Sequence, residues 1–135
     1  MFLLLGPDAT AVGAELRGTT ACTWRGLAPG SRKDRGFFSV PSTPSRAMVL
    51  CESAIDAISC HALHPNYRCL STSGARPDPA WLRALLSQGL PIYCGFDADP
   101  TGDTMAQRMR DRHPSIRRLR PRAKDWNNLL RQLSR

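Results

Sequence analysis

The sequence predicts an α/β fold, a mostly parallel sheet flanked by helices and preceded by a short β-rich N-terminal subregion. Three observations predict it. From about residue 46, apolar runs of strand length alternate with segments of helical spacing in a β-α-β-α-β-α order, and such an order needs parallel strands joined by right-handed crossovers. Before that point the apolar runs are short and separated by Gly-Pro and Pro-Gly turn signals, as in antiparallel strands. With 135 residues and 41% hydrophobic content, the chain has the length of one domain and can bury one core.

The elements follow in order. Residues 2–5, 12–16, 21–24 and 36–40 are expected as short strands, broken by Gly6-Pro7-Asp8 and Pro29-Gly30-Ser31. The small-residue stretch 41–45 then closes a subregion spanning 1–45, and a second runs over 46–135. Residues 47–51 form a continuous apolar run suited to a buried parallel strand, and 53–63 place apolar residues at 54, 55, 58, 62 and 63, one helical face. A second strand is expected at 68–72, a helix at 79–88, a third strand at 91–96, a helix from Asp99-Pro100 to about Arg112, a strand at 116–119 and a last helix at 126–133.

Composition excludes several classes. No apolar run approaches the ~18–20 residues that span a bilayer, and the hydrophobic content is too high for a disordered chain. The apolar start, Met1 to Leu5, is too short for a signal-peptide core and lacks basic residues before it, so a cytoplasmic protein without a membrane partner is expected. The five cysteines (22, 51, 60, 69, 94) form no C-x-x-C pair, which points to reduced, buried thiols; His61 and His64 read as end-of-helix residues.

Charge is local. Residues 1–103 carry nine Lys/Arg against nine Asp/Glu, whereas 104–135 carry ten against two, so the net charge of +8 comes from the last quarter. A one-sided basic segment suits a polyphosphate partner, since neutralising phosphates releases counterions; a solvated helix face is the plainer alternative.

In parallel sheets ligands bind beyond the carboxyl ends of the strands. The first strand of the second subregion ends in Glu52, the third in Asp97, and Asp99 follows two residues on. Asp97 and Asp99 point the same way in an extended segment and suit one hard cation through oxygen ligands. Asp99 before Pro100 serves equally well as a helix N-cap, Asp103 as a first-turn acid, and Glu52 with Asp56 as an i, i+4 acidic pair. Asp97 is harder to account for without pairing or metal, because a carboxylate closing a central apolar strand is costly.

The segments Leu50-Cys51-Glu52-Ser53-Ala54-Ile55-Asp56-Ala57, Ser71-Thr72-Ser73-Gly74 and Gly95-Phe96-Asp97-Ala98-Asp99-Pro100-Thr101-Gly102-Asp103 closely resemble the Toprim domain of bacterial-type primases, topoisomerases, some nucleases and recombination proteins. The resemblance covers roughly residues 46–130 and makes the predicted fold Toprim-like. Lys124-Asp125-Trp126-Asn127-Asn128-Leu129 is similar to the K-D-x-N-D-x-L ending of phage and plasmid primases, and the region from Gly13 to Val40 is more weakly similar to the segment preceding Toprim in primase-like proteins of mobile elements. Ser53 stands where primases usually have Gly, and Asn128 where the tail usually has Asp.

The resemblance implies roles. Asp97 and Asp99 would bind Mg²⁺ or Mn²⁺, with Asp125 a ligand for a second ion; Glu52 would act as general acid/base or share the metal, and Asp56, Asp103 and Gly74 would support them. Arg76, Arg117, Arg118, Arg120, Arg122 and Lys124 are candidates to hold a DNA or RNA backbone, expected to be single-stranded, or a triphosphate. Trp24, Trp81 and Trp126 are either base-stacking or core residues.

Such a site serves nucleotidyl transfer and phosphodiester cleavage equally well. The reading is a primase-like enzyme domain in replication of a plasmid, phage or mobile element, with a non-catalytic Toprim module and a Toprim nuclease as the alternatives. No zinc-binding Cys/His set and no helicase P-loop is written in the chain, so a zinc-finger, helicase or relaxase partner encoded nearby is expected.

Overall fold

A computed structural model describes residues 1–18, 25–42 and 44–134. An antiparallel sheet is built from β1 (Phe2–Leu5), β2 (Ala11–Arg17) and β3 (Arg25–Leu27), in the order β1-β2-β3. The second sheet is parallel throughout. It has the order β5-β4-β6-β7, from β4 (Ala47–Cys51), β5 (Tyr67–Ser71), β6 (Ile92–Cys94) and β7 (Arg117–Arg118), connected through α1 (Ala54–Leu63), α2 (Leu82–Leu86) and α3 (Pro100–Arg112) and followed by α4 (Trp126–Leu133).

The expected strand at 36–40 is instead an extended connector with isolated bridges to both sheets. Leu5 and Phe37 exchange backbone hydrogen bonds at 3.0 and 3.2 Å, while Val40 N donates to Cys69 O and Ser71 N to Phe38 O, both at 2.9 Å. This connector ties the N-terminal sheet to β5 and so fixes how it stands over the second sheet's edge. The expected strand at 21–24, with Trp24, lies outside the described residues.

β4 is buried on both faces, as its uninterrupted apolar sequence requires. Met48 and Leu50 point into one core with Leu70, Leu82, Phe96, Met109 and Ile116; Val49 and Cys51 point into the other with Cys60, Cys69 and Trp126. Each fully buried large apolar side chain contributes roughly 1.5–3 kcal/mol, so the two cores anchor the central strands whose ends carry the acidic residues. Trp126 is a core residue, 2% exposed and donating Nε1–H to Gly95 O at 2.8 Å, whereas Trp81 is partly buried against the other core, packing on Phe37 and donating to Lys33 O at 3.1 Å. Cys51, Cys60, Cys69 and Cys94 are free and buried, and burial pushes the Cys51 thiol up to about 11.

Three elements are shorter than expected. Pro79 to Trp81 form a turn (Leu82 N to Pro79 O, 3.0 Å), Trp81 offers no side-chain cap, and Gly89 at φ 86° ends the segment, leaving five helical residues of the expected 79–88. β6 and β7 are short; beyond their pairing the Cys94 carbonyl accepts from both Leu119 N (3.0 Å) and the Arg118 guanidinium (3.2 Å), and the guanidinium also takes the Phe96 carbonyl at 2.6 Å.

Candidate active site

Local sequence places each acidic residue. Ser53 N-caps α1, its Oγ accepting from Asp56 N at 3.2 Å and donating to Asp56 Oδ2 at 2.9 Å, which holds Asp56 in the first turn facing the sheet edge. Asp99 N-caps α3 (Gly102 N to Oδ1, 2.6 Å) with Pro100 at the first helical position, and Asp125 N-caps α4 (Asn128 N to Oδ1, 2.7 Å). Gly102 is required here, because a Cβ would collide with the Asp97 carbonyl.

Asp97 sits where these meet. Its N–H donates to Glu52 Oε2 at 2.7 Å, its carbonyl accepts from Arg118 at 2.9 Å, and the next amide, Ala98 N, donates to Lys124 O at 2.7 Å. The Asp97 side chain converges with those of Asp56 and Asp125, one carboxylate oxygen from each lying within 4.8 Å of the others. Asp97 Oδ1 is buried without a hydrogen-bond partner. Burial and the carboxylates of Glu52, Asp56, Asp125 and Asp99 push the Asp97 carboxyl up to about 8. Asp56 is raised by burial and by Asp125; Glu52 is raised by burial, which outweighs the stabilising Asp97 amide.

An orphaned, buried carboxylate oxygen inside a group of three acids fits a hard divalent cation, which takes carboxylate oxygens as ligands and supplies the missing counter-charge. The triad differs in membership from the sequence expectation. Asp56, read as a supporting residue, is in it; Asp99 is engaged as the α3 cap; Glu52 reaches Asp97 through the backbone amide. Two sequence signals reached Asp56, its i, i+4 spacing from Glu52 and its place in the Toprim-like segment 50–57, and both left it beside the site; locally it is the first-turn acid paired with the Ser53 cap.

The remaining candidates divide. Asp103, to which the resemblance gave a supporting role, is a first-turn acid of α3 paired with Arg120 and Arg118 at 2.9 and 2.8 Å, which keep its carboxyl down at about 2. Arg76 is engaged with Thr72 O, Lys33 O and Asp34. Arg117, Arg122 and Lys124 are exposed, as is Arg120 beyond its pairing. Gly74, at φ 113°, donates its N–H to Glu52 O at 2.8 Å and shapes the loop under the site.

Glu15 lies in the segment 13–40 that resembles the region before Toprim, but the sequence assigned it no role. From β2 it accepts from Ala54 N (2.9 Å), Ser71 Oγ (2.5 Å) and Ser73 Oγ (3.1 Å), clamping the N-terminal sheet to the acidic edge. Between them lies a cleft of about 290 Å³ lined by Glu15, Arg17, Arg25, Glu52, Ser73 and Gly74 among others. Among the described residues no helix is long and apolar enough to cross a membrane.

A parallel sheet with acids gathered at its carboxyl edge is the arrangement expected of an α/β domain that binds its ligand beyond the strand ends. The chain belongs to the Toprim-like family, whose profile matches residues 49–130. Its fold is that of primase domains. It is similar to the primase fragment of the bacteriophage T7 primase-helicase protein (14% identity, TM-score 0.68, covering 93% of this chain and 55% of that one). It is likewise similar to the DnaG catalytic core (17%, 0.67, 98% and 48%) and to a DNA primase domain from Pseudomonas aeruginosa (18%, 0.64, 98% and 46%). The chain spans about half the length of these structures. No curated protein sequence matches it.

Proposed function

We propose that this domain is the metal-dependent catalytic part of a primase-like nucleotidyltransferase acting on single-stranded DNA or RNA in replication of a plasmid, phage or mobile element. The observation that carries the reading is Asp97 Oδ1, buried and unpartnered among Asp56 and Asp125. These three residues would hold Mg²⁺ or Mn²⁺, with Asp99 alongside; the ion would supply charge neutralisation at a phosphate oxygen.

The chain's own groups do the rest. Glu52 Oε2 is occupied by the Asp97 amide, so a proton taken from an attacking hydroxyl goes to Oε1, and the raised affinity of this carboxyl for protons suits it to that work. Arg17 and Arg25 line the cleft beside Glu52 and suit the phosphates of an incoming nucleotide, while Arg117, Arg122 and Lys124 offer exposed cations to a strand backbone. Template reading and unwinding would fall to zinc-finger, helicase or relaxase partners, in a cytoplasmic setting.

The test is metal-dependent primer synthesis and nicking on single-stranded templates, with and without the products of neighbouring reading frames. Synthesis abolished by Glu52→Gln supports the proposal. Nicking without synthesis replaces it with a nuclease, and strand binding without either reaction replaces it with a binding module.

A further inference from the structure

Arg118 lies in a run of arginines that reads as surface charge, yet its side chain is only 15% exposed. All four of its terminal N–H positions are directed at one stretch of chain, residues 94–103. One terminal nitrogen donates to Cys94 O (3.2 Å) and Phe96 O (2.6 Å), the other to Asp97 O (2.9 Å) and Asp103 Oδ1 (2.8 Å). These acceptors follow the chain from the end of β6, across the acidic loop, to the first turn of α3. A planar guanidinium matches such a fork of acceptors as an ammonium cannot.

We infer that Arg118 is a positioning residue: it holds the backbone of the loop that presents Asp97 to the acidic triad, and it is not a nucleic-acid contact. Its effect passes through the Asp97 carbonyl, while the Asp97 amide is held by Glu52, so the two residues grip the backbone of Asp97 from both sides. Arg120 makes a different use of its charge. It is half-exposed and reaches only the Asp103 carboxylate in this neighbourhood.

Electrostatics and positioning predict opposite signs, which makes the inference testable. Removing a cation beside an acidic cluster should tighten divalent-metal binding on Coulombic grounds. Loss of the loop's support should weaken it. The inference rests on the metal reading above only for this first readout, Mn²⁺ affinity by water-proton relaxation for wild type, Arg118→Met, Arg118→Lys and Arg120→Met. Expected is a loss of about ten-fold or more in Arg118→Met, a smaller loss in Arg118→Lys, and near wild-type affinity in Arg120→Met. Equal or tighter binding in Arg118→Met overturns the inference.

A metal-free readout keeps the two proposals apart. Amide exchange at Ala98 and Gly102 should accelerate in Arg118→Met relative to the core strands, whether or not the wild type binds Mn²⁺. Wild-type exchange rates there overturn the inference; absence of Mn²⁺ binding by wild type overturns only the metal reading. If Arg118→Met does not fold, the same measurements on Arg118→Lys decide, and an Arg118→Lys variant with wild-type affinity and exchange overturns it.

Discussion

The backbone N–H of Asp97 donates to Glu52 Oε2 at 2.7 Å, joining the ends of two central strands across the site. The carboxylate expected to move a proton is therefore also a structural ligand of the residue expected to hold metal. Glutamine retains an acceptor for that amide and alanine does not. Glu52→Gln is predicted to keep metal and nucleic-acid binding while losing primer synthesis or cleavage by ~10² or more. Glu52→Ala should in addition weaken Mn²⁺ binding, and parallel titrations and turnover assays of the two variants check both statements.

The pH dependence of stability follows from Asp97. Its carboxyl is raised to about 8, so between the ordinary carboxylate range and pH 8 the folded state binds more protons than the unfolded. Stability of the metal-free protein is fully present below the unfolded value and falls as pH rises through about 8. Thermal melts in chelator from pH 5 to about 9 should show this decline, Asp97→Asn should flatten it, and Mg²⁺ should reverse it at the alkaline end.

Gly102 lets α3 start against the Asp97 carbonyl. Gly102→Ala should cost about 1–3 kcal/mol through forced displacement of the loop and weaken metal binding with it. Urea unfolding and Mn²⁺ titration measure the two effects on the same sample.

Glu15 accepts hydrogen bonds from Ala54, Ser71 and Ser73, and bonds to a charged acceptor contribute about 1.5–3 kcal/mol each before solvent screening. Glu15→Ala is predicted to destabilise the fold by about 2 kcal/mol and to raise amide exchange in β2 more than in β4. Glu15→Gln, which keeps one acceptor, should lie between.

Exposed Arg117, Arg122 and Lys124 should carry the salt-dependent part of strand binding. Replacing all three by alanine is expected to lower affinity for single-stranded DNA and to reduce the salt slope by roughly 0.7 for each phosphate that is no longer neutralised. Fluorescence anisotropy across a salt series gives both quantities.

The parts of this architecture legible in the sequence are those set by short-range physics. Residues 47–51 are apolar throughout because β4 is buried on both faces, and Asp99 before Pro100 caps the helix it precedes; Ser53 and Asp125, read as a first helical residue and a metal ligand, cap α1 and α4 in the same way. Arg118 was obscured because a run of arginines looks uniformly exposed. Strand alternation held the missing signal: Ile116 and Arg118 turn inward while Arg117 between them is exposed. Asp56 entered the triad, and Glu15 the clamp, through contacts spanning 41 or more and 39 or more positions in sequence, beyond any local pattern.

The proposed divalent-cation site is made by Asp56, Asp97 and Asp125, with the unpartnered Asp97 Oδ1 at its heart. Mn²⁺ titration by water-proton relaxation at pH near 8, on wild type and Asp97→Asn, tests it most directly. The account predicts saturable binding by wild type that falls about ten-fold or more in Asp97→Asn, with Asp103→Asn close to wild type. Equal Mn²⁺ affinity in wild type and Asp97→Asn would contradict it.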